Sequence, residues 1–197
     1  MTLKESPLAG KKYELVPDQW IVVGGATLYR IRALKDFGHV RAGTLGGYVA
    51  SERNLRQDGD CWVADDARVY DDALISDGAQ VRGLACVYGR ARIFDQGHVL
   101  GCAHVCGDAW VFKNGMVFDS ARVYEHAQVR DRGLVFGCAQ LSGFVRVIGT
   151  GEVSGDRRLC GRMTIGDDES VGSSTRGAPP RGGRRSRPPS PRPPRPS

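Results

Sequence analysis

The fold is decided by a stretch that begins with residues 61–81, CWVADDARVYDDALISDGAQV, and keeps the same rhythm to Ile165. An aliphatic residue occurs at every sixth position, from Val63 through eighteen repeats to Ile165. A small residue precedes it by two positions in most repeats. Asp or Gly follows it by two positions in sixteen repeats, and Lys113 and Glu125 take that place in the other two. The repeated unit is therefore A-x-V-x-(D/G)-x.

A period of six fits neither an α-helix nor a plain strand, but it equals one short strand plus a two-residue corner. Gly adopts a positive φ without steric cost, and Asp tolerates it while bonding its own backbone, so both suit the corner. The small and aliphatic residues of each strand point inward. Three such edges close a triangle of 18 residues, and stacked triangles pair each strand with those above and below. The pattern predicts an all-β, single-stranded parallel β-helix of about six triangular coils.

These hexads resemble the left-handed parallel β-helix of the hexapeptide-repeat proteins. The segments 29–37 (YRIRALKDF), 45–49 (LGGYV) and 61–63 (CWV) are similar to those of phage and prophage members described as acyltransferases. The resemblance spans roughly residues 12–159 and is specific for the fold. It implies a left-handed sense for the coils, which the spacing alone does not give. The same solenoid carries several unrelated activities, so the resemblance implies little about chemistry.

The chain divides into three predicted regions. Residues 1–60 contain strand-like stretches that predict a small N-terminal β cap. Residues 61–165 form the predicted β-helix, in which Arg157 takes a small-residue position, so we expect its last one or two coils to be distorted. Residues 166–197 are rich in Arg and Pro and predict a disordered tail. This tail either contacts nucleic acid or an acidic surface or is a solvated extension without a specific role.

The chain has 197 residues, with 28 Lys and Arg against 22 Asp and Glu and a net charge of +6. Residues 173–197 hold seven Arg and no acid, which leaves 21 basic and 22 acidic residues elsewhere. The charge therefore does not predict a basic nucleic-acid-binding face on the folded part. Without an apolar membrane segment or a secretory signal, we expect no membrane contact and a cytoplasmic location, in a bacterial host if the chain is phage-derived. The six cysteines are then expected as free thiols.

Residues that flank each aliphatic position point outward, and positions 18 apart stack in columns. One face carries an apolar patch on three successive coils, which predicts a homo-oligomer interface formed by Leu100, Met116, Phe118, Leu134 and Phe136. The resemblance to hexapeptide proteins implies a trimer. Another face brings aromatic rings beside an arginine, which predicts either a ligand-binding shelf or a second interface formed by Arg92, Phe94, Trp110 and Phe112.

Three soft ligands are candidates for a metal site. Cys86 stacks over His104 in a column, and Cys106 lies two residues from His104 on the same strand. Their spacing matches no standard zinc motif, so ordinary polar surface residues are the alternative interpretation. No other cofactor is expected unless the protein transfers acyl groups, which would require acyl-CoA.

An acyltransferase of this fold would use a histidine as general base. The candidates are His98, His104 and His126, and His98 is the first choice because it lies on the face of the apolar patch. For each of them the alternative is an exposed histidine without a catalytic role. A carbonic anhydrase is disfavoured, because three imidazoles would have to meet at one zinc while these lie on two faces and a corner.

The hexads contain no long loop insertion of the kind with which the resembled enzymes complete the acceptor site. The sequence therefore favours a non-catalytic, oligomeric β-helical scaffold or binding protein, with a phage or prophage relation implied by the resemblance. An acyl-CoA-dependent acyltransferase is the first alternative. A protein that sequesters a small, nucleotide-like ligand is a further one. The expected partners are further copies of the chain and either a protein or a small ligand.

Overall fold

The structure is a computed structural model that describes residues 10–172, and these form a parallel β-solenoid of about seven coils preceded by a hairpin. The strands in chain order are β1 (Tyr13–Val23), β2 (Ala26–Ala33), β3 (Leu45–Val49), β4 (Trp62–Val63), β5 (Arg68–Val69), β6 (Leu74–Ile75), β7 (Gln80–Val81), β8 (Cys86–Val87), β9 (Arg92–Ile93), β10 (His98–Val99), β11 (His104–Val105), β12 (Trp110–Val111), β13 (Met116–Val117), β14 (Arg122–Val123), β15 (Gln128–Val129), β16 (Leu134–Val135), β17 (Gln140–Leu141), β18 (Arg146–Val147), β19 (Glu152–Val153), β20 (Arg158–Leu159), β21 (Thr164–Ile165) and β22 (Ser170–Val171).

Three sheets form the faces of the coils. Sheet 1 runs β1-β2-β3-β5-β8-β11-β14-β17-β20, sheet 2 runs β4-β7-β10-β13-β16-β19-β22, and sheet 3 runs β6-β9-β12-β15-β18-β21. Successive strands of the chain enter successive sheets, so the predicted single-stranded β-helix is confirmed. The ladder itself starts before residue 61, because β3 pairs in parallel with β5, and it continues past Ile165 to β22. The left-handed sense of the coils stays a prediction from the resemblance.

A continuous backbone ladder joins the coils. Each strand donates to carbonyls of the next coil, as when the Arg122 N–H bonds the Ala139 carbonyl at 2.8 Å and the Tyr124 N–H bonds the Leu141 carbonyl at 3.0 Å. The small and aliphatic residues of the repeat point inward and are almost all fully buried from Ala67 to Val153. Close packing of Ala against Val and Ile therefore fills the interior, as the hexad predicts.

The end of the solenoid is regular in its backbone despite Arg157. The Gln140 N–H donates to the Arg157 carbonyl at 2.7 Å, and the Phe144 N–H donates to the Gly161 carbonyl at 2.7 Å. The Arg157 side chain is exposed, so no charge is buried at the small-residue position. The expected distortion is thus confined to the side chain, because the ladder uses main-chain groups that every residue supplies.

The corners follow the Asp/Gly pattern, and their carboxylates link one coil to the next. Asp65 has a φ of 55°, and the two exceptions to the pattern, Lys113 and Glu125, also have positive φ values of 48° and 58°. The sequence suggested that corner Asp residues bond their own backbone. Instead, the Asp65 carboxylate accepts a hydrogen bond from the Gly83 N–H at 2.9 Å, and the Glu125 carboxylate accepts one from the Gly143 N–H at 2.6 Å.

An antiparallel hairpin extends sheet 1 at its N-terminal end. Strands β1 and β2 turn at Gly24 and Gly25, which both have positive φ, and β2 pairs antiparallel with β3. The Tyr13 ring packs edge-on against Trp62, whose side chain belongs to the first coil. Hairpin and coils therefore share one hydrophobic core.

A buried lysine fastens this hairpin to the first coil. Lys12 is 1% exposed, and its ammonium donates to the carbonyls of Asp58 at 3.1 Å, Gly59 at 3.2 Å and Cys61 at 3.0 Å. The ammonium also lies 3.2 Å from the Cys61 sulfur and 5.0 Å from the centre of the Phe37 ring. The charge is thus surrounded by acceptors, which offsets the cost of its burial.

All six cysteines lie within the described residues and are free thiols, as expected. Between residues 10 and 172 there is no helix long and apolar enough to cross a membrane. Of the predicted tail, residues 166–172 are described and include β22, which pairs with β19, so the solenoid extends into the region predicted to be disordered. Residues 173–197 lie outside the described residues.

Candidate functional site

A groove of about 700 Å³ follows the edge at which sheet 1 turns into sheet 3, and we call it the corner groove. One wall is a column of strand residues on sheet 3, each paired in register with the next, namely Arg92, Trp110, Gln128 and Arg146. The other wall is a column of corner residues spaced 18 apart, namely Asp72, Arg90, Asp108, His126 and Phe144. Its volume lies in the range of small-molecule sites.

The coil repeat itself creates both walls. Backbone hydrogen bonds hold the strand column, since the Arg92 N–H donates to the Ala109 carbonyl at 3.0 Å and the Gln128 N–H donates to the Val145 carbonyl at 2.9 Å. Side chains at equivalent positions of successive coils therefore stack at the strand spacing of a sheet, roughly 4.8 Å. The groove side chains stand on a rigid frame.

Trp110 is the aromatic centre of the strand wall. It is 38% exposed, although Phe94 and Phe112 hold it from the side. The two phenylalanine rings stack on each other with centroids 4.7 Å apart, and the Trp110 ring meets each of them edge-on at 6.0 and 6.3 Å. Edge-to-face and stacked packing of this kind fixes the orientation of the indole.

The corner wall is a chain of paired side chains. The Arg90 guanidinium lies 2.8 Å from the Asp108 carboxylate, and Nδ1 of His126 lies 3.8 Å from the same carboxylate. The His126 ring stacks on Phe144 with centroids 4.9 Å apart, and Phe144 is 49% exposed. The Arg162 guanidinium lies over the Phe144 ring, 5.5 Å from its centroid, which completes the column.

Charge is segregated between the corners and the faces of the solenoid. Thirteen of the fifteen acidic residues between positions 61 and 172 lie at two-residue corners, and only Glu152 occupies a strand. Outward positions in the strands or directly after them carry arginines instead, with Arg92, Arg130 and Arg146 on the face of sheet 3. The near-neutral net charge of the folded part therefore conceals arginines that are concentrated at outward positions of the faces. Net charge counts the corner carboxylates, several of which bond backbone N–H groups rather than balance the faces.

The predicted ligand-binding residues are brought together, but they serve two surfaces. Arg92 and Trp110 line the corner groove, whereas Phe94 lines a smaller adjoining pocket of about 230 Å³ with both of them. Phe112 stacks on Phe94 and supports Trp110. The structure thus separates residues that face a ligand-sized space from residues that hold them.

The predicted interface residues form one continuous patch on sheet 2. Met116 pairs in register with Leu134, and the Phe118 and Phe136 rings stack with centroids 4.8 Å apart. All of these side chains and Leu100 are half-buried in the single chain. Their role as an interface stays a prediction.

The three candidate histidines lie at three separate places. His98 is on sheet 2 beside Met116, His104 is on sheet 1, and His126 is in the corner groove. Burial lowers the pKa of His98, with Arg82 adding to the effect. Burial also lowers the pKa of His104, with Arg122 adding to it. Only His126 combines an exposed imidazole, a carboxylate neighbour and a groove.

The suggested metal ligands are not assembled by the structure. Cys86 pairs with His104 in register, but the Cys86 thiol donates towards the Leu84 carbonyl at 3.6 Å, and the His104 ring lies edge-on to Tyr88. Within residues 10–172, no three His, Cys, Asp or Glu side chains are close enough together to hold a metal ion. In-register pairing brings Cα atoms together, whereas a ligand set also requires side chains that point at one centre.

Several groove residues were missed by the sequence interpretation, among them Asp108, Phe144 and Arg146. They could have been found by extending the column argument to the corners, because positions 72, 90, 108, 126, 144 and 162 are all 18 apart.

A scan against family models finds none that matches this chain, and a search of curated proteins finds no significant match.

Proposed function

We propose that the protein is a non-catalytic β-helical scaffold that assembles with copies of itself through sheet 2. The observation that carries this proposal is the contiguous apolar patch of Leu100, Met116, Phe118, Leu134 and Phe136, which spans three coils of sheet 2. Contiguous apolar surface on a soluble chain is typical of an association site.

The surroundings of the patch support self-association. In the two columns of sheet 2, polar residues precede the patch at Gln80 and Arg82 and follow it at Glu152 and Ser154. An apolar centre with a polar rim is the usual composition of a protein interface. A second copy of the same rigid face is the occupant we infer, and the resemblance to hexapeptide proteins makes a trimer the expected assembly. The phage or prophage relation stays a prediction.

Uninterrupted coils support a structural rather than a catalytic role. Every corner from Asp65 to Gly155 spans two residues, so no loop rises over the corner groove from within this range. Enzyme sites need groups that exclude water and complete the acceptor pocket. Such groups would have to come from outside this range of the chain or from another subunit.

The test is the solution mass of the purified full-length protein by light scattering. The wild type should be an oligomer, and Leu134→Glu should be a monomer because it places a charge at the centre of the patch. Gln140→Glu, at the equivalent position of sheet 1, is the matched control and should keep the wild-type mass. Phe136→Ala gives a second, milder variant in case the charge impairs folding. A monomeric wild type would overturn the proposal.

Acyl transfer is the second candidate function, favoured by one observation. His126 lies beside Asp108 in the corner groove, and a carboxylate next to an imidazole can orient it as a general base. The test is release of CoA thiol from acetyl-CoA in the presence of an amine and alcohol panel. His126→Ala should abolish it while His104→Ala, on sheet 1, should not. Absence of release from the wild-type oligomer would exclude this candidate.

A further inference from the structure

We propose that the corner groove binds a nucleotide, with the base against Trp110 and the phosphate paired with Arg92. The shared chemistry of the ligand is a flat aromatic base joined to a phosphate. Its source is either a free nucleotide or one unit of a single-stranded nucleic acid. This inference does not depend on self-association, because the groove and the apolar patch lie on different sheets.

The charges of the groove favour an anion. Arg90 is held by Asp108 at 2.8 Å, so that pair is neutral as a unit. Arg92 and Arg146 are exposed, and neither makes an ion pair with a residue between 10 and 172. Asp72 is the remaining acid of the groove, which leaves an excess of one positive charge among the charged lining residues. Guanidinium groups recognise phosphate oxygens through two parallel hydrogen bonds.

The aromatic surfaces of the groove favour a flat ring. The Trp110 indole is fixed edge-on to Phe94 and Phe112, and more than a third of its side chain remains exposed. On the opposite wall, the His126 and Phe144 rings are stacked nearly parallel, at 11°. Aromatic platforms beside arginines are the usual device for binding single-stranded nucleic acid and nucleotides without a double helix.

The order of residues along the strand wall gives each part of the ligand a position. Trp110 pairs in register with Arg92 on one side and with Gln128 on the other, and Arg146 follows Gln128. A base on Trp110 therefore has a guanidinium one coil away for its phosphate. It also has the Gln128 amide, which both donates and accepts hydrogen bonds, one coil away on the other side.

The distance along the wall separates the two sources of ligand. Arg92 and Arg146 are three coils apart, and their backbones are therefore roughly 14 Å apart at the strand spacing of a sheet. One nucleotide with its phosphate on Arg92 does not reach Arg146. A single strand of several nucleotides contacts both arginines, and each lost phosphate contact should then lower the salt dependence of binding by about 0.7 in the log–log slope.

The experiment measures binding of two probes to the full-length protein. AMP that carries a fluorescent methylanthraniloyl group on its ribose and fluorescein-labelled dT12 are each followed by anisotropy, the latter at several salt concentrations. Arg92→Ala and Trp110→Ala should each weaken the binding of both probes about tenfold or more, the range expected for a stacking platform. Trp110→Phe keeps a ring and should retain part of the affinity for dT12. Arg122→Ala, an exposed arginine at the equivalent position of sheet 1, is the matched control.

The outcomes distinguish the sources and can overturn the proposal. If Arg146→Ala weakens dT12 binding and leaves AMP binding unchanged, the ligand is a single strand. If dT12 binds no more tightly than AMP and Arg146→Ala has no effect, the ligand is a free nucleotide. The proposal is overturned if neither probe binds, or if inorganic phosphate displaces AMP as well as unlabelled AMP does. Residues 173–197 are present in every variant, so a difference between variants reports on the substituted residue. The proposal is therefore also overturned if Arg122→Ala weakens dT12 binding as much as Arg92→Ala does.

Discussion

The carboxylate of Asp65 bonds the backbone N–H of Gly83, 18 residues further along and one coil away, at 2.9 Å. Asp71 bonds Gly89 in the same way at 3.1 Å, and Asp119 bonds Gly137 at 3.2 Å. A corner Asp therefore does two things that Gly does not do together. It adopts a positive φ, and it satisfies a donor in the next corner, where the strand ladder is interrupted.

Replacing Asp65 separates these two contributions. Asp65→Ala should lower the free energy of unfolding by about 1–2 kcal/mol, because Ala is strained at positive φ and makes no bond to Gly83. Asp65→Gly avoids the strain of positive φ but also lacks the bond to Gly83, whereas Asp65→Asn keeps an acceptor at the same place. We expect the order of stability Asp, Asn, Gly, Ala in urea unfolding. If Asp65→Ala were as stable as Asp65→Gly, the positive φ would carry no cost for Ala.

Gly115 fills a small-residue position that leaves no room even for a methyl group. A Cβ atom added there would lie 2.4 Å from the Val129 carbonyl oxygen of the next coil. Gly115→Ala should therefore destabilise the protein by about 1–3 kcal/mol, as overpacking of a core does. Gly166→Ala is the control, because its added Cβ would meet only the Glu169 carboxylate at 4.0 Å. Equal urea midpoints for the two variants would contradict the prediction.

Lys12 should be a principal attachment of the hairpin to the first coil. Lys12→Met keeps the length of the side chain but leaves the carbonyls of Asp58, Gly59 and Cys61 without their donor. The expected loss is about 2 kcal/mol or more of unfolding free energy. Lys11→Met is the comparison, since Lys11 pairs with Glu52 at the surface and such pairs contribute about 0–1 kcal/mol. A loss from Lys11→Met as large as that from Lys12→Met would refute this role.

Acidification should weaken the fold through His98 and His104. Burial lowers the pKa of both, and Arg82 and Arg122 respectively add to the effect. Well above the ordinary histidine pKa, both groups are neutral in the folded and unfolded chain and contribute nothing to pH dependence. As the pH falls through about 6.5, the unfolded chain binds protons first, so stability is lost.

The measurement is the urea midpoint at pH 7.5 and pH 5.5. The wild type should lose more stability between these values than His98→Asn/His104→Asn. An equal loss in both proteins would mean that other groups account for the acid sensitivity.

The inward half of this structure could be predicted from the sequence, and the outward half could be predicted only in part. Ala and Val positions such as Ala109 and Val111 are fixed by the hexad, because burial selects residues by size and polarity. Columns of outward residues also followed, which is how the Phe118–Phe136 stack was foreseen. Lys12 gave no signal, since a lysine is rarely buried and its acceptors are backbone carbonyls without a sequence signature.

The corner groove was missed because corner residues other than His126 were interpreted only as turn formers. Asp108 and Phe144 do not adopt the positive φ of the corner; they occupy its second position and project into the groove. Net charge did not indicate this arrangement, because carboxylates at corners and guanidinium groups on faces cancel in a sum but not in space. Residue position within the repeat, rather than composition, carries that information.

The 18-residue coil also sets rules for how this chain can change in length. Adding or removing one whole coil would lengthen or shorten the rod by roughly 4.8 Å and keep every later residue on its own face. Adding a single hexad would preserve the inward pattern equally well, yet it would turn all later residues by one face of the triangle. A hexad inserted between Ile93 and Val99, for example, would move Phe118 and Phe136 off sheet 2, the face that holds Trp62 and Gln80 in the earlier coils. Length variation in such a rod is therefore neutral for folding in steps of six and neutral for its surfaces only in steps of 18.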